Sequence, residues 1–237
     1  MHLIGPQDQP ITNELAVLRE CLPLEGARVL ELGCGAAATT RLLAERCGVA
    51  EIVASEVDQI QHGKNLEIDD LPAVTFKAYG AEAIDEPDAR FDIVLMFKSL
   101  HHVPGEALAA AMREIHRVLK PGGLAYISEP VFDGPFNEVI RLFHDEEVVR
   151  KAAFDAVCEA VRGGVFELRE ERFFRSRINW ESWGQFEGGI INATHTEHNL
   201  DDALRARVRD AFERHASDEG YVFEVPIRVD VLLKPAA

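Results

Sequence analysis

No stretch of this sequence approaches the roughly 18 consecutive apolar residues that a membrane-spanning helix requires, and Met1-His2-Leu3-Ile4-Gly5-Pro6 lacks the basic-then-apolar order of a secretory signal. Cysteine is scarce and scattered: Cys21, Cys34, Cys47 and Cys158 form no C-x-x-C pair and no zinc spacing, which argues against a disulfide framework and a metal cluster. Basic residues are also few, 25 against 41 acidic, leaving a formal charge of -16. Such a field repels a phosphate backbone, so nucleic acid is excluded as a partner, and a small neutral or cationic molecule suits it better. These absences describe a soluble cytoplasmic protein with no membrane partner. A homo-oligomer is compatible with the sequence but not indicated by it.

What is present is enough apolar material for a sizeable core: 237 residues, 47% of them hydrophobic. That length favours one domain over two. Apolar runs at residues 28–32, 52–55, 74–78, 91–97 and 124–128 read as strands. Between them lie helical patterns, around Leu42 and Leu43, at 59–68, and at 106–119, where Leu108, Met112, Ile115 and Leu119 recur at helical spacing before Lys120-Pro121-Gly122-Gly123 stops the helix. A further helix leads in at 13–21. Strand-helix alternation predicts a parallel sheet covered on both faces, since parallel neighbours need crossover connections. The later third predicts helices at 136–143, 146–161 and 201–215, strands at 166–178 and 221–233, and an inserted loop or lid at 181–199.

The segment Val29-Leu30-Glu31-Leu32-Gly33-Cys34-Gly35-Ala36-Ala37-Ala38 puts a glycine turn between a strand and a helix. Glycines permit a tight turn and a close ligand approach, and the helix start offers free N–H groups. Gly33-x-Gly35-x-x-Ala38 also satisfies the dinucleotide fingerprint, with Glu56 at about the distance of a ribose-binding acid, so a nicotinamide-dependent oxidoreductase is a rival reading. Glu31 weighs against it. A carboxylate there would repel a pyrophosphate, but it favours a ligand carrying an ammonium and a sulfonium. The alternative is an acid that caps the turn's own N–H groups.

Taken together, Val29-Leu30-Glu31-Leu32-Gly33-Cys34-Gly35, Glu56, Phe91-Asp92-Ile93-Val94, Leu100-His101-His102-Val103 and Arg117-Val118-Leu119-Lys120-Pro121-Gly122-Gly123 resemble, in order and spacing, the motifs of class I S-adenosylmethionine (SAM)-dependent methyltransferases. The likeness covers roughly the first 130 residues. It implies a Rossmann-like, doubly wound seven-stranded α/β sheet whose last strand is antiparallel, with helical and lid insertions in the C-terminal part. Residues 1–237 would form a single domain, with 1–130 holding the cofactor and 131–237 the acceptor. The resemblance puts the methionine part of SAM against Glu31, Gly33, Cys34 and Gly35, the ribose hydroxyls on Glu56, and Val57 beside the adenine. Relatives often carry an aspartate where this chain has Gly80; adenine would then be read around Ala81, with Glu82 substituting.

Methyl transfer from a sulfonium demands alignment, water exclusion and, where needed, removal of the acceptor's proton. Met96, Phe97 and Lys98 end a strand beside the expected sulfonium position. Lys98 could grip an acceptor carboxylate or act as a base, or be a solvated lysine at the start of a helix. Of His101 and His102, adjacent positions that point apart, His101 is the candidate base, against a packing or capping role for either. His195-x-x-His198 could share a helix face, but no third ligand accompanies it and no metal is expected. Trp180, Trp183, Phe186 and Phe143 are candidates for an acceptor pocket or lid, with core packing the more ordinary use of such aromatics. Residues 167–175 read as a strand with one solvated charged face. A third reading, a SAM-binding protein without catalysis, is open because binding motifs say nothing of an acceptor pocket.

Overall fold

The structure is a computed structural model that describes residues 1–192 and 200–236. In chain order its strands are β1 (Ile11–Thr12), β2 (Arg28–Leu32), β3 (Glu51–Ser55), β4 (Val74–Lys77), β5 (Phe91–Phe97), β6 (Leu119–Pro130), β7 (Glu167–Trp180), β8 (Ala216–Ser217) and β9 (Gly220–Leu233). The helices are α1 (Glu14–Cys21), α2 (Ala38–Arg46), α3 (Gln59–Asn65), α4 (Leu108–Val118), α5 (Pro135–Ile140), α6 (Glu147–Arg162), α7 (Trp183–Phe186) and α8 (Asp202–Glu213).

The strands form one sheet in the order β1-β7-β9-β6-β5-β2-β3-β4, with β8 added on β9. Strands β2 to β6 are mutually parallel, and β9 runs antiparallel between β6 and β7. The expected seven strands are all there; β1 and β8 are two-residue additions. Alternation along the strands builds two cores. Leu30, Leu32, Val94 and Met96 face α4 and α6, while Val29, Ile93 and Leu95 face α1 and α2. Helix α4 buries Leu108, Ala111, Met112, Ile115 and Val118 at helical spacing. A third cluster, with Val139, Phe186, Val208, Phe212 and Phe223 at its centre, joins α5, α7 and α8 to the outer ends of β7 and β9.

Two expectations are corrected. Lys120-Pro121-Gly122-Gly123 does end α4, but these residues lie in a bulge at the start of β6: Phe91 pairs with Leu119 and Ile93 with Leu124. The stretch read as a loop from residue 181 contains α7 and a single wide helical turn, Glu187–Ile191, because Phe186 and Ile191 bury themselves in the third cluster. The pair His195 and His198 lies outside the described residues.

Register brings the functional candidates to one edge. Leu32 pairs with Ser55 on one side and Met96 on the other, and Phe97 pairs with Ser128. The carboxyl ends of β2, β3, β5 and β6 therefore line up, and strand order reverses beside β2, where open α/β sheets hold ligands.

Candidate functional site

The turn after β2 has the geometry its glycines allow. Gly33 and Gly35 have φ of +71° and +51°, and a Cβ at Gly33 would lie 2.6 Å from the Ser99 Cβ. The Gly33 and Cys34 amides donate to the Ser55 carbonyl at 2.9 and 3.0 Å, and Ser99 Oγ donates to the Leu32 carbonyl. Nothing would meet a Cβ at Gly35 within 4 Å, so the turn opens onto free space there.

Glu31 sits on the α2-facing side of β2, two residues after Val29, at a position where an apolar residue would be expected. It is only 2% exposed, and its carboxylate accepts one hydrogen bond from Thr40 Oγ1 at 2.7 Å. Burial pushes its pKa up to about 7, and the Thr40 bond offsets only part of this. No cation compensates it among the described residues. A buried acid without a cation is costly, and it fits a ligand that brings its own ammonium. The capping alternative is not supported: the turn's amides bond to Ser55 and Glu56 instead.

Glu56, at the end of β3, accepts from the Gly35 amide through one oxygen at 2.8 Å and from the Asp58 amide through the other at 2.9 Å. Each carboxylate oxygen retains further acceptor capacity. Val57 beside it is 60% exposed, a bare apolar surface at the crevice. Across the crevice the Glu82 carboxylate occupies the space that a side chain at Gly80 would take, with Ala81 buried next to it. The sequence-predicted cofactor residues thus gather from the ends of β2 and β3 and from the 80–82 loop. Met96 is buried in the core below them and Phe97 is half-buried.

Past β5 the chain enters a second region. Lys98 has φ of +52°, unusual for a residue with a Cβ, and its amide donates to the Ser128 carbonyl at 2.7 Å. Such a conformation persists where the surroundings over-determine it. Lys98, His101 and His102 line a cavity of about 320 Å³, closed on other sides by Val131, Phe136, Asn137, Ile140, Phe143, His144, Glu146 and Arg150, and by Ile178, Trp180 and Val225 of β7 and β9.

His101 is 5% exposed and lies between two carboxylates: Nδ1 bonds Glu129, and Nε2 is 3.5 Å from Glu146 Oε1. Burial alone would lower its pKa, but Glu129 and Glu146 outweigh that and raise it to about 9. Both ring nitrogens thus face carboxylates, and the raised pKa favours the charged imidazolium. Glu146 is held well below the usual carboxylate range; its burial opposes this, but His101 and Arg150 prevail. His144 Nε2 lies 2.8 Å from the same carboxylate, and Arg150 grips its other oxygen at 2.6 Å.

Among the aromatic candidates, Trp180 and Phe143 line the cavity. Phe186 is fully buried and stacks on Phe212 at 4.6 Å, with Trp183 packed against both, so these two are core and not lining. Glu129, Asn137, Glu146 and Arg150 carry no sequence signal, because they stand at a strand end, in helices and just before α6 without a motif and meet only in the fold.

Residues 29–123 match the model of a family described as Methyltransferase domain. Over 114 residues the chain is 30% identical to a ubiquinone biosynthesis O-methyltransferase of Pseudomonas aeruginosa, which covers 44% of this chain and 45% of that protein. Over 106 residues it is 34% identical to a 2-methyl-6-phytyl-1,4-hydroquinone methyltransferase of Synechocystis, covering 44% and 32%. The matches thus span less than half the length of these curated relatives. In fold, the chain is similar to a candidate methyltransferase of Bacillus halodurans C-125 (TM-score 0.65, 20% identity, 94% of this chain and 99% of the other). It is also similar to the cyclase SpnF (TM-score 0.60, 22% identity, 94% and 80%).

Proposed function

We propose, from the premise of the methyltransferase domain matched over residues 29–123, that this chain transfers a methyl group from SAM to a small organic acceptor. The observation that carries the reading is Glu31, a buried acid without a counter-cation directly before a ligand-ready glycine turn. It supports a cationic amino-acid moiety at this end of the crevice. Glu56 supports a ribose diol there, as a double acceptor for two neighbouring hydroxyls, and the exposed face of Val57 supports a flat apolar base. A nicotinamide dinucleotide fits less well, because Glu31 would face its pyrophosphate.

When bound, SAM supplies an electrophilic methyl group on a good leaving group, and the protein's part is alignment and water exclusion. In this reading residues 1–130 hold the cofactor, and the cavity between the end of β5 and residues 131–237 receives the acceptor. Lys98 serves as acceptor grip; His101 is a fixed charge that orients Glu146, and no general base is assigned to it. Of the relatives named above, one is named for ubiquinone biosynthesis and the other for methylating a phytyl hydroquinone, which supports a small-molecule acceptor here as well. No helix among the described residues is long and apolar enough to cross a membrane, and the cytoplasm is the compartment proposed.

Titration calorimetry with SAM, S-adenosylhomocysteine (SAH) and NAD(H) tests the reading. SAM and SAH are expected to bind, and Glu56→Ala to weaken both by about 1.5–3 kcal/mol, the cost of hydrogen bonds to a charged acceptor. Heat from NAD(H) with none from SAM would reverse the assignment.

A further inference from the structure

The chain is acidic overall, but the described lining of its cavity is not. Among the described residues Glu146 is the one acid in the lining, and both its oxygens are taken up by Arg150, His144 and His101. Lys98 lines the same cavity and has no carboxylate at ion-pairing distance among the described residues. Glu14, close enough to be influenced by Lys98, is not in the lining and is bonded by Tyr126 and Ser128. Two lining side chains also hold unused donors. Asn137, 6% exposed, accepts from Arg150 through Oδ1, but its Nδ2 has no hydrogen-bond partner among the described residues. The buried Nε1 of Trp180 has none either. An unpaired buried donor is costly, so two on side chains of the same cavity wall favour a ligand that brings acceptor atoms.

Resting on the methyltransferase reading, we propose that the acceptor is an organic carboxylate with an apolar body, its acid group held by Lys98 and the free N–H donors of Asn137 and Trp180. The body would lie against Phe136, Ile140, Ile178 and Val225, the apolar part of the wall. A phosphate ester suits the cavity less. A dianion calls for a guanidinium fork, and that of Arg150 is already spent on Glu146 and Asn137. The assignment reverses the expectation of a neutral or cationic acceptor: net charge governs encounter over the whole surface, whereas affinity is set by the groups inside the cavity.

The test pairs apolar monocarboxylates (benzoate, cinnamate, octanoate) with their methyl esters and measures binding to SAH-saturated protein by ligand-observed NMR. The acids are expected to bind about tenfold more tightly than their esters, and Lys98→Met and Asn137→Leu each to remove most of that preference while circular dichroism stays unchanged. Esters binding as well as acids, no acid binding at millimolar concentration, or a preference that survives both substitutions would overturn the proposal. A parallel SAH titration separates the two claims. An acid preference without SAH binding defeats the methyltransferase reading alone, and SAH binding without an acid preference defeats the carboxylate assignment alone.

Discussion

At the scale of single residues, the most informative side chains are those whose burial conflicts with their chemistry. Glu31 is a carboxyl group that holds its proton up to about pH 7 because it is buried with a single hydroxyl partner. A bound ammonium would favour its ionised form, so binding should release a proton below that pH. SAH affinity is therefore expected to rise with pH up to about 7 and then level off. In Glu31→Gln the rise should disappear and affinity should be lower throughout. Calorimetry in buffers of different ionisation heat reads the proton count directly; a wild-type affinity that falls over this range would contradict the assignment. Lys98 is the converse, an exposed cation held in a left-handed backbone conformation just past the end of β5, where it lines the cavity.

At the scale of elements, the two halves of the chain are built differently. The motifs of the first half are mostly structural. Asp92 accepts from the Arg28 amide and pairs with Lys120, and Arg117 ties α4 to the carbonyls of Ile84 and Glu86. These contacts hold strand ends in register, which is why the site can be assembled from separate turns. The second half relies on aromatic packing. Phe212 of α8 is fully buried, stacked on Phe186 at 4.6 Å and on Tyr221 at 4.3 Å. Phe212→Ala is expected to cost about 3–5 kcal/mol locally, loosening α8, α7 and the outer end of β9. Hydrogen exchange should then speed up in those elements while β2 to β6 keep their protection. Uniform loss of protection would show that the third cluster is not a separate unit.

At the scale of the whole molecule, the buried His101 charge couples the fold to pH. Its pKa rises from 6.5 to about 9 on folding, so the native state binds the proton more tightly than the unfolded chain. This contribution is fully present below pH 6.5, declines as pH rises, and is gone above about 9. Glu146, depressed on folding, contributes in the opposite sense and loses its share as the solution is acidified below the ordinary carboxylate pKa. The melting temperature of wild type is expected to fall between pH 6.5 and 9, and that of His101→Asn to be lower and flatter over the same window. A wild-type profile that rises there would mean the imidazole is buried neutral.

The sequence by itself determined the parallel half of the sheet, the glycine turn and the positions of Glu31 and Glu56. These rest on local rules: alternation along strands, helical spacing, and backbone conformations open to few residues. It also sorted Lys98 to a strand end near the crevice. It offered Trp180 and Phe143 for a pocket but could not determine the cavity as a whole, because Asn137, Glu146 and Arg150 come from α5 and the start of α6, and no spacing relates them to the rest of the lining. The upward shift of the His101 pKa was equally hidden, since it depends on two carboxylates 28 and 45 residues away in the chain. Tertiary structure alone decided these features, because electrostatic and packing energies depend on distances in space, which distant parts of the chain acquire only on folding.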